Sequence, residues 1–407
     1  MKRTVALLLV LILAVSLPGC KEEFVHPTSP NATASTAPTE PEGVYIQDSY
    51  SVTDQKAKEM AQNIVATIGD IKLTNSLFHA YYWMAVRSFM DAYGSSALFL
   101  GLNYTKPLDE QLYDAKTSWQ QYFVADGLQV WHRYQSMALM AEQKGIPMND
   151  AMQKELENLY ETLEKSLEKS GYKTVDELIQ GQMGAGCTFE DYYRYTEIFY
   201  RGYSYFEHQY GQINITQADI DAYFAENQTV LEKENIKKDG SLACTLRHIL
   251  IRPTGGKTDA DGKVTCTDEQ WEAARVKAQS LLDQWLAGEA TEESFAALAK
   301  EHSHDDSSKA EGGLYEGLYS KSNQPKEMKD WYLAEGRRSG DYTLVKSDYG
   351  YHILRVSQME ELWVYFCRSI LMENAQADII NQAILAFPAK IHYENIGLAT
   401  VTLVAAS

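Results

Sequence analysis

The chain has 407 residues, 45% of them hydrophobic, with 37 Lys and Arg against 56 Asp and Glu, a formal net charge of −19. A chain of this length can bury a core without disulfides. Its acidity argues against a nucleic-acid partner, which needs a basic face, and against adhesion of the folded body to an anionic membrane surface. It fits a soluble extracytoplasmic protein that attracts basic clients and repels acidic ones.

Met1-Lys2-Arg3 precedes an apolar run from Val5 to Val15, too short for a bilayer core of about 30 Å, which takes about 20 helical residues. With Leu17-Pro18-Gly19-Cys20 behind it, residues 1–19 have the form of a secretory signal peptide. The ending resembles a bacterial lipobox, which implies cleavage before Cys20, diacylglycerol on its sulfur, and anchoring at the outer face of the cytoplasmic membrane. An ordinary signal peptide with an incidental cysteine is the alternative. Without residues 1–19 the balance is 35 basic against 56 acidic side chains, or −21. Residues 20–44 carry Pro27, Pro30, Pro38 and Pro41 among small and polar residues. Such a stretch cannot offset its own ordering entropy. It reads as a linker of roughly 27 Å average span.

From residue 45 the pattern is mostly helical. Ile64–Ile68 reads as a strand, and Thr74-Asn75 leads into a helix through Trp83. Helices follow near 115–144 and 149–170, where Leu156, Leu159, Leu163 and Leu167 make one apolar face. Thr174 with Glu177, and Thr216 with Asp219, are N-cap pairs. The second opens a helix that leads to a charged boundary at 235–240. Aromatic residues are dense between 78 and 210. An ordinary helical core is the expected reading, and a greasy cradle for unfolded polypeptide the alternative. His79, His132 and His208 read as partly buried helix residues.

Residues 244–357 hold the candidate chemistry. Thr245-Leu246-Arg247-His248-Ile249-Leu250-Ile251 and Tyr349-Gly350-Tyr351-His352-Ile353-Leu354-Arg355-Val356 are apolar strands, each with one histidine. Between them lie Phe295-Ala296-x-Leu298-Ala299-x-x-x-Ser303, a polar loop, and Gly312-Gly313. The order of these pieces resembles the parvulin family of peptidyl-prolyl cis/trans isomerases. The resemblance implies paired histidines at His248 and His352, with Asp305 facing the prolyl bond and Ser347 near the hydroxyl that supports the pair. It also implies a proline pocket. Where the family usually has Gly-Gly-Asp-Leu-Gly, Gln-Met and Phe, this chain has Gly312-Gly313-Leu314-Tyr315-Glu316, Asn323-Gln324 and Met328. The pocket residues are therefore Leu314, Gln324 and Met328, with a polar amide where a ring should be gripped.

"ATIGDIKLTNSLFHAYY" is similar to the opening of the chaperone domain that accompanies parvulin modules in exported foldases. The expected fold is α+β. Residues 45–240 form a mostly helical chaperone domain, residues 241–357 an inserted module with a small antiparallel sheet flanked by helices, and residues 358–407 a helix and strand completing the first domain. The helix is expected near Glu373 to Phe387, ending at Pro388, with an alternating strand from Ile391 to Leu403. The expected function is isomerisation of Xaa-Pro bonds in exported polypeptides, with no cofactor and no metal. A holdase that binds clients without catalysis is the alternative, and a homodimer through the helical domain is open.

Other chemistries in the same stretch have less support. His302, His304 and Asp305 could contribute to a metal site, but there is no third histidine at helical spacing. Cys244 and His248 stand about 13 Å apart if both lie on one strand. Arg247 and Arg252 read either as contacts to a client's carboxylate or phosphate or as solvated edge charges. Cys187, Cys244, Cys266 and Cys367 show no CxxC spacing and read as scattered thiols, with a Cys244–Cys266 bridge left open.

Overall fold

The computed structural model describes residues 47–258, 264–401 and 403. The signal segment, Cys20 and the linker lie outside the described residues. The described residues form two compact units, one made of those up to Asn214 and from Glu373 onward, the other of those within Ile215–Met372. Among the described residues no helix is long and apolar enough to cross a membrane.

The first unit opens with β1 (Ser51–Val52), α1 (Asp54–Met60) and the antiparallel pair β2 (Ile64–Ile68) and β3 (Ile71–Thr74). Thr74 then caps α2 (Asn75–Tyr93), its hydroxyl accepting from Leu77 N. Helix α3 (Trp119–Lys144) starts at a Ser118/Gln121 capping box, which satisfies two orphan donors reciprocally. The single helix expected over 149–170 is two, α4 (Asp150–Glu157) and α5 (Leu159–Ser170), because Asn158 leaves the helical region. Helices α6 (Val175–Met183) and α7 (Phe189–Tyr210) complete this stretch. Gly202 lets α7 lie against α3, since a Cβ there would stand 2.7 Å from the Tyr134 carbonyl oxygen. The dense aromatics are core: Phe78, Tyr81, Trp119, Phe123, Trp131 and Tyr192 are buried in one cluster.

The second unit starts at α8 (Gln217–Lys233), capped by Thr216 and Asp219. Ile220, Phe224 and Leu231 pack with Ile236, Trp363, Cys367 and Ile370. This is why α8 groups with the second unit, whereas the sequence-based boundary stands at residue 240. The chain continues through β4 (Leu242–Ile251), α9 (Asp268–Ala287), α10 (Glu292–His302), β5 (Leu314–Leu318), α11 (Lys326–Tyr332), β6 (Tyr342–Ser347) and β7 (Gly350–Glu361). The four strands form one antiparallel sheet in the order β5-β4-β7-β6.

Side chains alternate across a strand, and here both faces are covered. Ile249, Ile251 and Ile353 pack on Ala278, Leu281 and Trp285 of α9 and on Phe295 of α10. Leu246, Leu354 and Val356 pack on the other side with Met328 and Tyr332 of α11. His248 and His352 have the parity of that second face.

Helix α12 (Leu362–Ala386) follows β7 directly, eleven residues before the expected start at Glu373, and no Gly or Pro occurs between Tyr351 and Phe387 to mark the boundary. Its part from Glu373 onward belongs to the first unit. The expected long terminal strand is two short ones around a 3₁₀ turn at Tyr393–Asn395. Strand β8 (Lys390–Ile391) pairs antiparallel with β2, and β9 (Leu398–Ala399) pairs parallel with β1. Asn75 holds this return by exchanging two hydrogen bonds with the Gly397 backbone, 2.9 and 3.1 Å long.

Candidate functional site

His248 and His352 sit on neighbouring antiparallel strands, where His248 faces Leu354 and Leu250 faces His352. This diagonal placement brings the rings to 4.9 Å between centroids, 20° from parallel. His248 Nε2 and His352 Nδ1 are 2.8 Å apart. At one end His352 Nε2 lies 2.6 Å from Ser347 Oγ, which arrives from β6. At the other, His248 Nδ1 lies 3.3 Å from Asp305 Oδ2. Asp305, His248, His352 and Ser347 thus form one continuous chain.

The direction of that chain follows from proton counting. A carboxylate only accepts, so His248 donates through Nδ1, and in the tautomer with Nε2 unprotonated it accepts there. His352 then donates through Nδ1 and accepts at Nε2, so Ser347 donates to it. Ser347 Oγ in turn accepts from Tyr349 N at 3.0 Å. In that tautomer every side-chain hydrogen bond along the chain points toward Asp305. Burial, and the neighbouring His248 ring, push the His352 pKa down to about 3, so this ring is neutral at ordinary pH.

Asp305 is set by the loop that carries it. Ser303 Oγ accepts from both Leu250 N and Asp305 N, and His304 N donates to Leu250 O at 2.8 Å. The loop is thereby stitched to the end of β4. Burial opposes the carboxylate's charge, yet bonds from His248, Ser308 and Ser307 hold its pKa far below the usual carboxylate range. Ser308 Oγ donates to Oδ2 at 2.6 Å, Ser307 Oγ to Oδ1 at 2.7 Å, and Tyr315 Oη to Oδ2 at 2.8 Å. These three hydroxyls were not among the sequence candidates. Serines in the two positions after Asp306 were the available signal, because short polar side chains cluster around turn carboxylates.

The Gly-Gly step has a steric cause. Gly313 has φ +74°, and a Cβ there would stand 2.0 Å from the His248 carbonyl oxygen. His248 N donates to Gly313 O at 2.7 Å. Arg247 is not a solvated edge charge. Its Nε pairs with Glu292 at 2.9 Å, and its guanidinium donates to the Glu311 and Gly312 carbonyls. Glu292 also takes Arg355 and Ser357, so one acid on α10 ties β4, β7 and the glycine loop together.

The three pocket candidates are placed differently. Leu314 is half-buried beside Gly313, and Gln324 is half-buried in the turn before α11. Met328 is fully buried in the sheet-facing core. The other chemistries find no site. His302 pairs with its neighbour Glu301, and His304 Nδ1 accepts from Arg252 N. Among the described residues no cluster of three or more His, Cys, Asp or Glu could hold a metal. Cys187, Cys244, Cys266 and Cys367 are free thiols, and burial pushes Cys244 up to about 12, which leaves it unreactive.

Sheet, paired histidines and glycine loop define a class. Residues 229–360 match the family model described as "PPIC-type PPIASE domain". The chain carries a parvulin-type peptidyl-prolyl isomerase domain, accompanied by a helical unit. Among solved structures it is similar to PrsA from Bacillus subtilis, at 18% identity and a TM-score of 0.32, covering 66% of this chain and 88% of that one. It is also similar to the peptidyl-prolyl isomerase ESS1 from Candida albicans, at 19% identity and a TM-score of 0.23, covering 35% and 76%. A SurA-like chaperone structure from Campylobacter jejuni, described for PEB4 and Cj1289, matches at 19% identity and a TM-score of 0.22, covering 57% and 82%. No curated protein matches in the search of those sequences.

Proposed function

We propose that this protein is a foldase that isomerises Xaa-Pro bonds in exported polypeptides while tethered through Cys20 to the outer face of a bacterial cytoplasmic membrane. The observation that carries the catalytic reading is the chain that runs from partly exposed Asp305 through buried His248, His352 and Ser347 inside an isomerase-family domain. A prolyl bond crosses a barrier of about 18–20 kcal/mol because rotation breaks amide resonance. The planar amide carries negative charge on its carbonyl oxygen, and twisting returns that charge to nitrogen. A fixed anion beside the oxygen destabilises the planar form more than the twisted one, which lowers the barrier. Asp305 supplies the anion. Its donors keep it ionised, and the histidine pair orients it. No nucleophile or cofactor enters this scheme. The lipid anchor rests on the sequence pattern around Cys20, and the clients on the helical unit that accompanies the isomerase domain.

The test is the isomerisation rate of a proline tetrapeptide with the wild type and with Asp305→Ala. Catalysis by the first and a near-solvent rate with the second support the reading. Equal rates sink it. One observation favours a holdase instead: Met328 is wholly inside the core and Gln324 is polar, so neither offers a proline ring an apolar face. A wild type that fails to isomerise but suppresses aggregation of a proline-free client would establish that second reading. Release of the mature protein from membranes by a Cys20→Ser change tests the anchor.

A further inference from the structure

The hydroxyls around Asp305 are one proton short. Ser307 Oγ lies 2.7 Å from Asp305 Oδ1, Ser308 Oγ 2.6 Å from Oδ2, and Tyr315 Oη 2.8 Å from Oδ2. Ser307 Oγ and Tyr315 Oη are also 2.9 Å from each other. Four oxygen–oxygen contacts therefore share the three hydroxyl protons, and an ionised carboxylate adds none. With all three protons on the carboxylate, the Ser307–Tyr315 contact joins two oxygens that both present lone pairs.

This contact is the accessible end of the network. Ser307 is exposed and Tyr315 half-buried, whereas His248, His352, Ser347 and Ser308 are buried. The Tyr315 ring is 5.8 Å from that of His248, and Leu314 precedes it in the chain. An N–H arriving from outside and directed between the two oxygens would satisfy both. An unfolded polypeptide offers such a donor at every residue except proline.

We infer that Ser307 and Tyr315 form a main-chain subsite, accepting one backbone N–H of the client segment that flanks the proline. The inference deepens the isomerase reading and rests on it for the position of the proline. Here Tyr315 is a substrate-binding residue through its hydroxyl, and the Gly-Gly turn delivers it.

The experiment measures binding of a proline-containing tetrapeptide to the full chain, with the peptide unmodified or N-methylated at one amide at a time. In the wild type, methylation at one position weakens binding about two- to tenfold, the usual worth of one neutral hydrogen bond. In Tyr315→Phe and in Ser307→Ala the unmodified peptide binds more weakly by a similar factor, and the same methylation costs nothing further. Ser307 is exposed, so its variant reports even if the tyrosine variant folds poorly. Indifference of the wild type to methylation overturns the subsite, as does a methylation cost that persists in Ser307→Ala. An Asp305 carboxyl carbon resonance in the protonated range at neutral pH also overturns it, because that proton would fill the fourth contact. A wild type that shows the coupling but does not isomerise the peptide sinks the catalytic reading and leaves the subsite. Isomerisation without coupling does the reverse.

Discussion

The two units both bury histidine rings and bond them to different kinds of partner. In the helical unit His79 is fully buried. Its Nδ1 lies 2.7 Å from the Asn75 carbonyl and its Nε2 accepts from Ala399 N at 3.1 Å. Both nitrogens are occupied by main chain, so the ring is a staple holding β9. In the sheet unit, His248 and His352 are bonded to each other and to side chains at either end, and that chain leads to the partly exposed Asp305. Burial and a lowered pKa are common to His79 and His352. The partners set them apart: backbone partners make a fastener, and a side-chain relay that reaches the surface makes a candidate site.

The contrast yields predictions of decreasing size. His79→Ala should cost the most stability, about 3–5 kcal/mol, because it opens a cavity and leaves the Ala399 N–H and the Asn75 carbonyl without their partner. Chemical denaturation should assign the loss to the helical unit. Gly313→Ala should cost about 2–3 kcal/mol in the sheet unit, through its left-handed backbone and the clash with His248 O. A wild-type-like unfolding curve for that variant would mean the glycine loop yields more easily than its geometry implies.

The pH dependence follows from the sign of the histidine shifts. A depressed histidine pKa means that the unfolded chain takes up its proton first, near the ordinary 6.5, while folded His352 waits until about 3. Stability is complete above pH 6.5 and falls as the pH drops through that window, by up to about 1.4 kcal/mol per unit for each such ring. His79, shifted in the same direction by burial, should give the helical unit an acid loss of the same sign. Unfolding free energies that stay flat between pH 6.5 and 4 would contradict neutral burial in both units. The smallest change is Ser347→Ala, at about 1 kcal/mol, which removes the donor to His352 Nε2. Nitrogen chemical shifts of the His352 ring should register the freed acceptor.

Much of this contrast was legible in the sequence, and the reasons differ by residue. The histidine strands showed as apolar runs with one polar interruption each, and a local count placed Asp305 relative to Gly312-Gly313. Caps at Thr74, Thr174 and Thr216 are local patterns that need no tertiary information. The serine and tyrosine hydroxyls on Asp305 were hidden because Asp305-Asp306-Ser307-Ser308 reads as a polar loop until the fold turns it inward. Arg247 was hidden for a longer-range reason, since its partner Glu292 lies 45 residues away. The start of α12 was missed because strand passes into helix there without a breaker. Met328 and Gln324 were placed by motif order, which fixes a position along the chain and not which way a side chain faces.

The central claim is that the relay, and not the staple, supports catalysis. It is tested by the isomerisation rate of a proline tetrapeptide with the wild type, His248→Ala and His79→Ala, each normalised to folded protein. The account predicts a near-solvent rate for His248→Ala and a wild-type rate for His79→Ala. Full activity in His248→Ala, or no catalysis by the wild type, would contradict it.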